Sequence, residues 1–229
     1  MTSSCGDDNE LAKSMRRLLN REYYLEKLIK KPLQETFERL CDEDGLLYEF
    51  MDVVLLLIFV HIDLLGRLYT GEARNTGKNA VQFMREYLGR VDERYKEVSG
   101  LLYHSLRHGY VHVFTPKRIQ LKNGGVLDFS FVSFHKTLKH LSLTQRVETE
   151  MPGNIKIHRL LVNVSKLFED FVLAIDKYAE DIVHDQEVSD RFRKSFESRR
   201  IEDTEEKLRS KKDSNLDSDF EYIYRQITE

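Results

Sequence analysis

Cysteine and proline are both scarce in this chain of 229 residues. Its two cysteines, Cys5 and Cys41, lie in unlike surroundings with no repeated spacing, which argues against a disulfide framework and against a zinc site built on cysteine. We therefore expect a reducing, intracellular compartment, of which the cytoplasm is the simplest. The 3 prolines and the 33% of charged residues favour helices over a sandwich of many strands.

Apolar runs long enough to cross a membrane are also lacking. The one stretch that invites a membrane interpretation, within 52–65, is bracketed by Asp52, His61 and Asp63, whereas a span needs about 20 mostly apolar residues. A helix that is apolar nearly all round is expected in the centre of a core instead. The first ten residues lack the basic start and apolar centre of a secretory signal. We expect a protein that is neither exported nor membrane-bound.

Apolar residues recur at helical spacing over most of the chain. The spacing and the capping residues predict helices over Asn9–Lys30, from Pro32 to about Leu40, over Gly45–Leu68, over Asn79–Leu88, from about Asp92 to His108 or beyond, and after Ser165 as an N-cap. Leu28 and Leu101 are expected to face inward. Helices joined by short connections suggest an antiparallel bundle, so the predicted fold is mainly α.

The helical periodicity is interrupted over about 113–164. Pro116 blocks continuation of the helix, and apolar residues then alternate with polar ones on either side of the turn at 123–125. The alternating residues are Ile119, Leu121, Leu127, Phe129 and Phe131. A third strand is predicted within 154–164, where a helix remains the alternative. The interruption is therefore a β-hairpin or a small antiparallel sheet inserted into the helical domain.

The domain organisation follows from composition. We expect a disordered N-terminal segment at 1–8, a single domain at 9–198 and a charged flexible tail at 199–229. Residues 202–219 are rich in Glu, Lys, Asp and Ser, which disfavours a packed core. The aromatic patch at 220–224 could dock on the domain or on a partner.

Charge is distributed unevenly, although the net charge is −3. Between 113 and 147 the basic residues exceed the acidic ones by five, because Asp128 is the one acidic residue of that segment. The basic residues are Lys117, Arg118, Lys122, Lys136, Lys139 and Arg146. A basic hairpin of this kind could bind the phosphate backbone of a nucleic acid. The alternative is that its basic side chains are simply the solvated face of an exposed edge strand.

Arg107 and His112 enclose four residues near the predicted end of a helix. Arginine offers a permanently charged fork of donors for a phosphate, and histidine, with an ordinary pKa of roughly 6.5, can move a proton. Cleavage of an RNA phosphodiester without a metal needs both. The alternative is structural, with Arg107 capping the helix C-terminus and His112 packing at the turn.

Neighbouring residues allow two further interpretations. His104, His108 and His112 would line one face of a continuous helix, and two histidines one turn apart are a common metal pair. No cluster of Asp, Glu or Cys completes that set, so we predict no metal site. Asp63 and Glu49 could each reach Arg107, because a carboxylate on a buried helix needs a partner or a proton. The alternative for each is a structural salt link or an exposed polar position.

The segment 102–112, followed by Phe114-Thr115-Pro116-Lys117, resembles the end of a core helix in HEPN (higher eukaryotes and prokaryotes nucleotide-binding) domains. In that family an arginine is followed by Asn, Asp or His and, four to six residues after the arginine, by a histidine. Arg107-His108-x-x-x-His112 has this pattern. The resemblance covers about 11–116, with the helix after Ser165 as a further candidate and the hairpin as an elaboration.

The resemblance implies a homodimer whose motif helices meet in a composite cleft. Many family members are metal-independent endoribonucleases, often toxins or antiviral effectors, that need no cofactor and leave a cyclic phosphate. Carried over, His112 would be the general acid or base, Arg107 would hold the scissile phosphate, and His108 would orient or assist. The residues that could guide the RNA strand are Lys117, Arg118 and Lys122.

Other members of the family suggest different expectations. In one toxin branch, a tyrosine two residues after the histidine is modified by a partner nucleotidyltransferase; Phe114 stands there in this chain, which does not fit that route. An antitoxin or another regulatory partner stays an expectation. Still other members are non-catalytic dimerisation or nucleic-acid-binding modules, and this is the alternative function. A metal or small-ligand protein is the third.

Overall fold

The computed structural model describes residues 23–42, 45–46, 48–113, 115–122, 124–133, 140–147 and 156–197. The predicted segments 1–8 and 199–229 lie outside the described residues, as does the first part of the predicted helix Asn9–Lys30. Within the described part, the fold is mainly helical, with a small mixed sheet of four strands. No helix of that part is long and apolar enough to cross a membrane.

Most of the predicted helices are present, with shifted ends. They are α1 (Tyr23–Lys30, wound as a π-helix), α2 (Lys31–Arg39), α3 (Met51–Thr70), α4 (Thr76–Phe83), α5 (Gly89–Val91), α6 (Arg94–Leu102), α7 (His108–Val113), α8 (Val164–His184) and α9 (Gln186–Glu197). Two π-helical segments, Met84–Leu88 and Tyr103–Arg107, join α4 to α5 and α6 to α7. The helix that carries the Arg107 motif therefore continues to Val113.

Helix α3 forms the centre of the core. Leu55, Ile58, Ile62 and Leu65 are fully buried, and α4, α8 and α9 pack against α3. The predicted central helix is confirmed, but its predicted start at Gly45 is wrong. Residues 45–46 form a short strand (β2, Gly45–Leu46) paired with β1 (Cys41–Asp42).

Two leucines expected to face inward are exposed. Leu28 is 44% and Leu101 39% exposed. A π-helix has a wider turn than an α-helix, so residues four apart, rather than three, lie on the same face. Leu25 and Ile29 are therefore both buried, and Leu28 falls outside their face. In α6 the buried positions include Leu102, and its immediate neighbour Leu101 points away from that face.

The second sheet contains β3 (Ile119–Gln120), β4 (Val126–Val132), β5 (Ser142–Val147) and β6 (Lys156–Asn163) in the order β3-β4-β6-β5. The predicted hairpin β3–β4 is confirmed, as is the strand β6. The expectation of an antiparallel sheet is wrong, because β6 runs parallel to β4 and antiparallel to β5. The apolar residues of β6 allow it to lie between these two strands rather than at an edge.

Helix α8 begins earlier than predicted. Its N-cap is Asn163, whose side-chain oxygen accepts the Lys166 N–H at 3.1 Å. Ser165, the predicted cap, already lies in the helix and donates its hydroxyl to the Ser133 carbonyl at 2.9 Å. The cap of α8 therefore lies at the last residue of β6, which joins the sheet to the helices directly.

Candidate active site around Arg107

The helix that carries the motif widens where the motif begins. Residues Tyr103–Arg107 form a π-helical turn, a feature often found at functional sites. The Ser105 carbonyl of this turn accepts the backbone N–H of Lys117 at 3.1 Å. Because the helix continues as α7 to Val113, Arg107 does not cap its C-terminus, so the expectation of a helix cap is wrong for this arginine.

Arg107 is instead held across the interior by Asp63 of α3. Its Nε donates to Asp63 Oδ2 at 2.6 Å, while the Tyr103 hydroxyl donates to Asp63 Oδ1 at 2.7 Å. Each oxygen of the carboxylate thus has its own donor. The expectation that Asp63 reaches Arg107 is confirmed. Glu49, the other candidate, is exposed in the turn Tyr48–Phe50, and among the described residues no ion pair joins it to Arg107.

The pair is only partly closed to solvent. The Arg107 side chain is 22% and the Asp63 side chain 14% exposed. Asp63 engages Nε, and in the described part of the chain the two terminal nitrogens, which carry four of the five N–H groups of a guanidinium, have no hydrogen-bond partner. Burial and the bond to Asp63 raise the pKa of Tyr103 far above its usual value, so its hydroxyl stays a donor.

His108 of the motif lies against Tyr103, and His104 lies against His108. The His104 and His108 rings are 5.6 Å apart, and His108 lies edge-on to Tyr103 at 5.8 Å. His112 belongs to α7, but its side chain lies outside the described part. Among the described residues no three His, Cys, Asp or Glu side chains are grouped as a metal site. The prediction of a catalytic His112 therefore stays a prediction.

Lys117, the first basic residue after the motif, is exposed but lies on another side of the helix. The loop that carries Lys117 packs tightly there, since a Cβ on Gly109 would come within 2.3 Å of the Thr115 carbonyl oxygen. Gly109 is two residues from Arg107, and residues two apart on a helix point to nearly opposite sides, so this loop packs on the side away from Arg107. The chain therefore does not bring its own Lys117 loop to the Asp63–Arg107 pair.

The other two predicted RNA contacts are also on the surface. Lys122 is exposed, and Arg118 lies 3.3 Å from the Asp128 carboxylate, which offsets part of its charge. Lys136 and Lys139 lie outside the described residues.

Exposed apolar side chains lie on α3, which carries Asp63, and on α6, which precedes the π-helical turn of Arg107. Val53 and Val60 of α3 are each 47% exposed, and Leu101 of α6 is exposed as well. Val60 and Asp63 are three residues apart, so they are neighbours on one helix face. A Cβ on Gly100, next to Leu101, would meet no atom within 4 Å. We call Val53, Val60 and Leu101 the apolar surface.

Sequence reasoning missed Tyr103, although a signal for it exists. Tyr103 precedes Arg107 by one turn, a spacing at which two side chains can contact the same partner on a neighbouring helix. The π-helical widening has no comparable signal in the sequence.

No family model, no curated protein and no solved structure matches this chain.

Proposed function

We propose that this protein is a metal-independent endoribonuclease of the HEPN type that acts as a homodimer, and that its helices form the antiparallel bundle of that family. The observation that carries the proposal is the Arg107 guanidinium, which Asp63 holds by Nε while its terminal nitrogens stay unengaged within the described residues. A guanidinium held in this way presents two planar donors to the oxygens of one phosphate. RNA is the proposed partner, and a toxin or antiviral role is a further expectation from the resemblance.

The proposed chemistry needs two proton transfers. A base removes the proton of the ribose hydroxyl beside the scissile phosphate, the oxygen bonds to phosphorus, and an acid protonates the departing ribose oxygen. The products are a cyclic phosphate and a free hydroxyl. His112 exchanges the protons, and Arg107 donates to the phosphoryl oxygens as their charge grows. His108, which lies against Tyr103, orients or assists.

A dimer supplies the two proton transfers with one kind of residue. If each chain contributes one His112 to a shared cleft, one imidazole accepts a proton while the other donates one. The apolar surface supports this arrangement, because association would bury exposed apolar side chains, of which Val60 lies one helical turn from Asp63. An antitoxin or another regulatory protein would then bind the dimer.

A second candidate is a non-catalytic dimerisation or nucleic-acid-binding module. The Asp63–Arg107 ion pair favours it, since a carboxylate at 2.6 Å offsets the charge that would attract a polyanion. The two functions differ in what happens to bound RNA. A module binds RNA or a partner through this surface and leaves RNA intact.

The test is cleavage of mixed RNAs in the presence of a chelator, with mapping of the fragment ends. Wild type should cleave and leave cyclic phosphates, whereas Arg107→Ala and His112→Ala should each lose about 100-fold or more in rate. Arg193→Ala and His184→Ala, on exposed positions of α9 and α8, are the matched controls and should keep full activity. Folded, dimeric wild type that binds RNA without cleaving it would favour the binding module.

The dimer has its own test. Val60→Glu combined with Leu101→Glu should convert the protein to monomers in sedimentation velocity and abolish cleavage, because it places charges in the proposed interface. Val183→Glu on α8, where Val183 is 66% exposed, is the control and should leave the dimer intact. A monomeric wild type that still cleaves RNA would refute the composite site.

A further inference from the structure

A second polar cluster lies in the interior, away from the motif. His140, two residues before the first residue of β5, is only 4% exposed. Its Nε2 lies 2.8 Å from the Tyr95 hydroxyl of α6, and its Nδ1 accepts the backbone N–H of Asn163 at 3.1 Å. The Tyr95 hydroxyl in turn lies 3.1 Å from Asp170 Oδ2 of α8. One imidazole ring thus connects the start of β5, the end of β6 and two helices. We call these residues the His140 cluster.

The hydrogen bonds of this cluster determine where each proton lies. The Asn163 N–H can only donate, so Nδ1 of His140 must be unprotonated and Nε2 carries the proton of the neutral ring. That N–H donates to the Tyr95 oxygen. Tyr95 then directs its own hydrogen to Asp170. Every polar hydrogen of the chain of bonds has an acceptor, provided that His140 is neutral.

The surroundings of His140 keep it neutral. Burial lowers the pKa of His140 to about 4, with the cations Arg94 and Lys166 acting in the same direction and Asp92 against them. From α6, Arg94 donates to the His140 carbonyl and pairs with Asp92. From α8, Lys166 binds the buried Asp170 carboxylate.

Protonation of His140 would break the cluster at one bond. A proton on Nδ1 would face the N–H of Asn163 at 3.1 Å, so two donors would oppose each other. Asp170 does not serve as a replacement acceptor, because it binds Tyr95 and Lys166 whereas Nδ1 of His140 faces the Asn163 N–H. The positive ring would also be buried beside the cation Arg94. The connection between the His140 segment and β6 is therefore the weak point at low pH.

We propose that His140 is a proton-sensitive link that holds the β5 side of the sheet to α6 and α8, and that its protonation opens this side of the sheet locally while the core around α3 stays folded. The link is independent of the proposed ribonuclease site. For the link to act in this way, β5 must separate from the helices in a state that forms before the whole protein unfolds.

Amide hydrogen exchange tests the link in the full chain. His140 has a depressed pKa in the closed state and an ordinary one, roughly 6.5, in the open state, so opening becomes easier as the pH falls. Between about pH 7 and pH 5, the protection factors of the Ser142–Val147 and Asn163 amides should fall about 20-fold in wild type. They should stay well below those of α3 and respond little to low concentrations of denaturant, as local openings do.

His140→Gln is the decisive variant. Its amide nitrogen can still donate to Tyr95 but does not titrate, so protection should change less than about 3-fold over the same range. His184→Gln, at the exposed end of α8, should behave like wild type. An equal fall in His140→Gln, or equal protection of β5 and α3 at pH 5, would overturn the proposal. So would a wild-type His140 ring that titrates in NMR with an ordinary pKa, a measurement that needs no variant.

Discussion

Asp63, Tyr103 and Arg107 form the Arg107 cluster. This cluster and the His140 cluster use the same three kinds of side chain, a tyrosine, an aspartate and a basic residue, in opposite ways. In the His140 cluster the carboxylate of Asp170 is fully buried and every polar hydrogen has an acceptor. In the Arg107 cluster the cation is 22% exposed and its terminal nitrogens have no partner in the described residues. A saturated cluster stabilises a fold, and a cluster with spare donors can bind a ligand.

The largest difference between the two clusters should appear on acidification. The pKa of His140 is lowered to about 4 in the folded state, so its contribution to stability is complete above its unfolded pKa and is lost as the pH falls through its folded pKa. From about pH 7 to pH 4, the free energy of unfolding of wild type should fall by about 3 kcal/mol more than that of His140→Gln.

Urea unfolding at a series of pH values measures this difference. His104→Gln, one helical turn before His108, is the matched control, because His104 is exposed. It should follow the wild-type curve at every pH. If His140→Gln loses as much stability as wild type on acidification, the titrating group lies elsewhere.

The same substitution in both clusters should have unequal effects on stability. Tyr95→Phe leaves the buried His140 N–H and one Asp170 oxygen without partners, which should cost about 2 kcal/mol. Tyr103→Phe leaves Asp63 bound to Arg107, and water can replace the hydroxyl at that partly exposed carboxylate. Its cost should stay below about 1 kcal/mol. Urea unfolding at neutral pH compares them, and equal losses would mean that the Arg107 cluster is structural too.

Asp63→Asn should separate position from charge in the Arg107 cluster. The neutral amide holds Arg107 less firmly, so kcat should fall about 10-fold, which corresponds to about 1.4 kcal/mol. KM should not rise, because removal of the carboxylate charge increases the attraction for RNA. Asp190→Asn, in an exposed pair with Arg193, should leave both parameters unchanged. A melting temperature well below that of wild type would identify Asp63 as a structural residue instead.

The sequence predicted those features that depend on local patterns. The apolar run of α3, the turn at 123–125 and the alternation in β4 depend on residues close together in the chain, so the helices and the hairpin could be predicted. Asp63 could also be predicted as a partner of Arg107, since a carboxylate on an apolar helix requires one.

The features that the sequence did not predict depend on distant contacts. Strand β5 contains polar residues such as Ser142 and Thr144 and lacks a clear alternation, so it forms because β6 is available as a partner. The His140 cluster joins Tyr95 to Asp170 across 75 positions of the chain. No periodicity in the sequence connects residues so far apart. The parallel pairing of β4 with β6 could not be predicted for the same reason.

The smallest effects should come from the basic residues after the motif. Lys117→Ala and Lys122→Ala should each reduce the slope of log affinity against log salt by about 0.7 for single-stranded RNA, because each exposed lysine contributes about one phosphate contact. We would measure this in a His112→Ala background, so that bound RNA stays intact, with Lys194→Ala on α9 as the control. With His112 restored, the cleavage rate of bound RNA should not change, since the Lys117 loop packs on the side of the helix opposite Arg107. If Lys117→Ala slowed that rate as strongly as Arg107→Ala, the loop would have to reach the cleft of a partner chain.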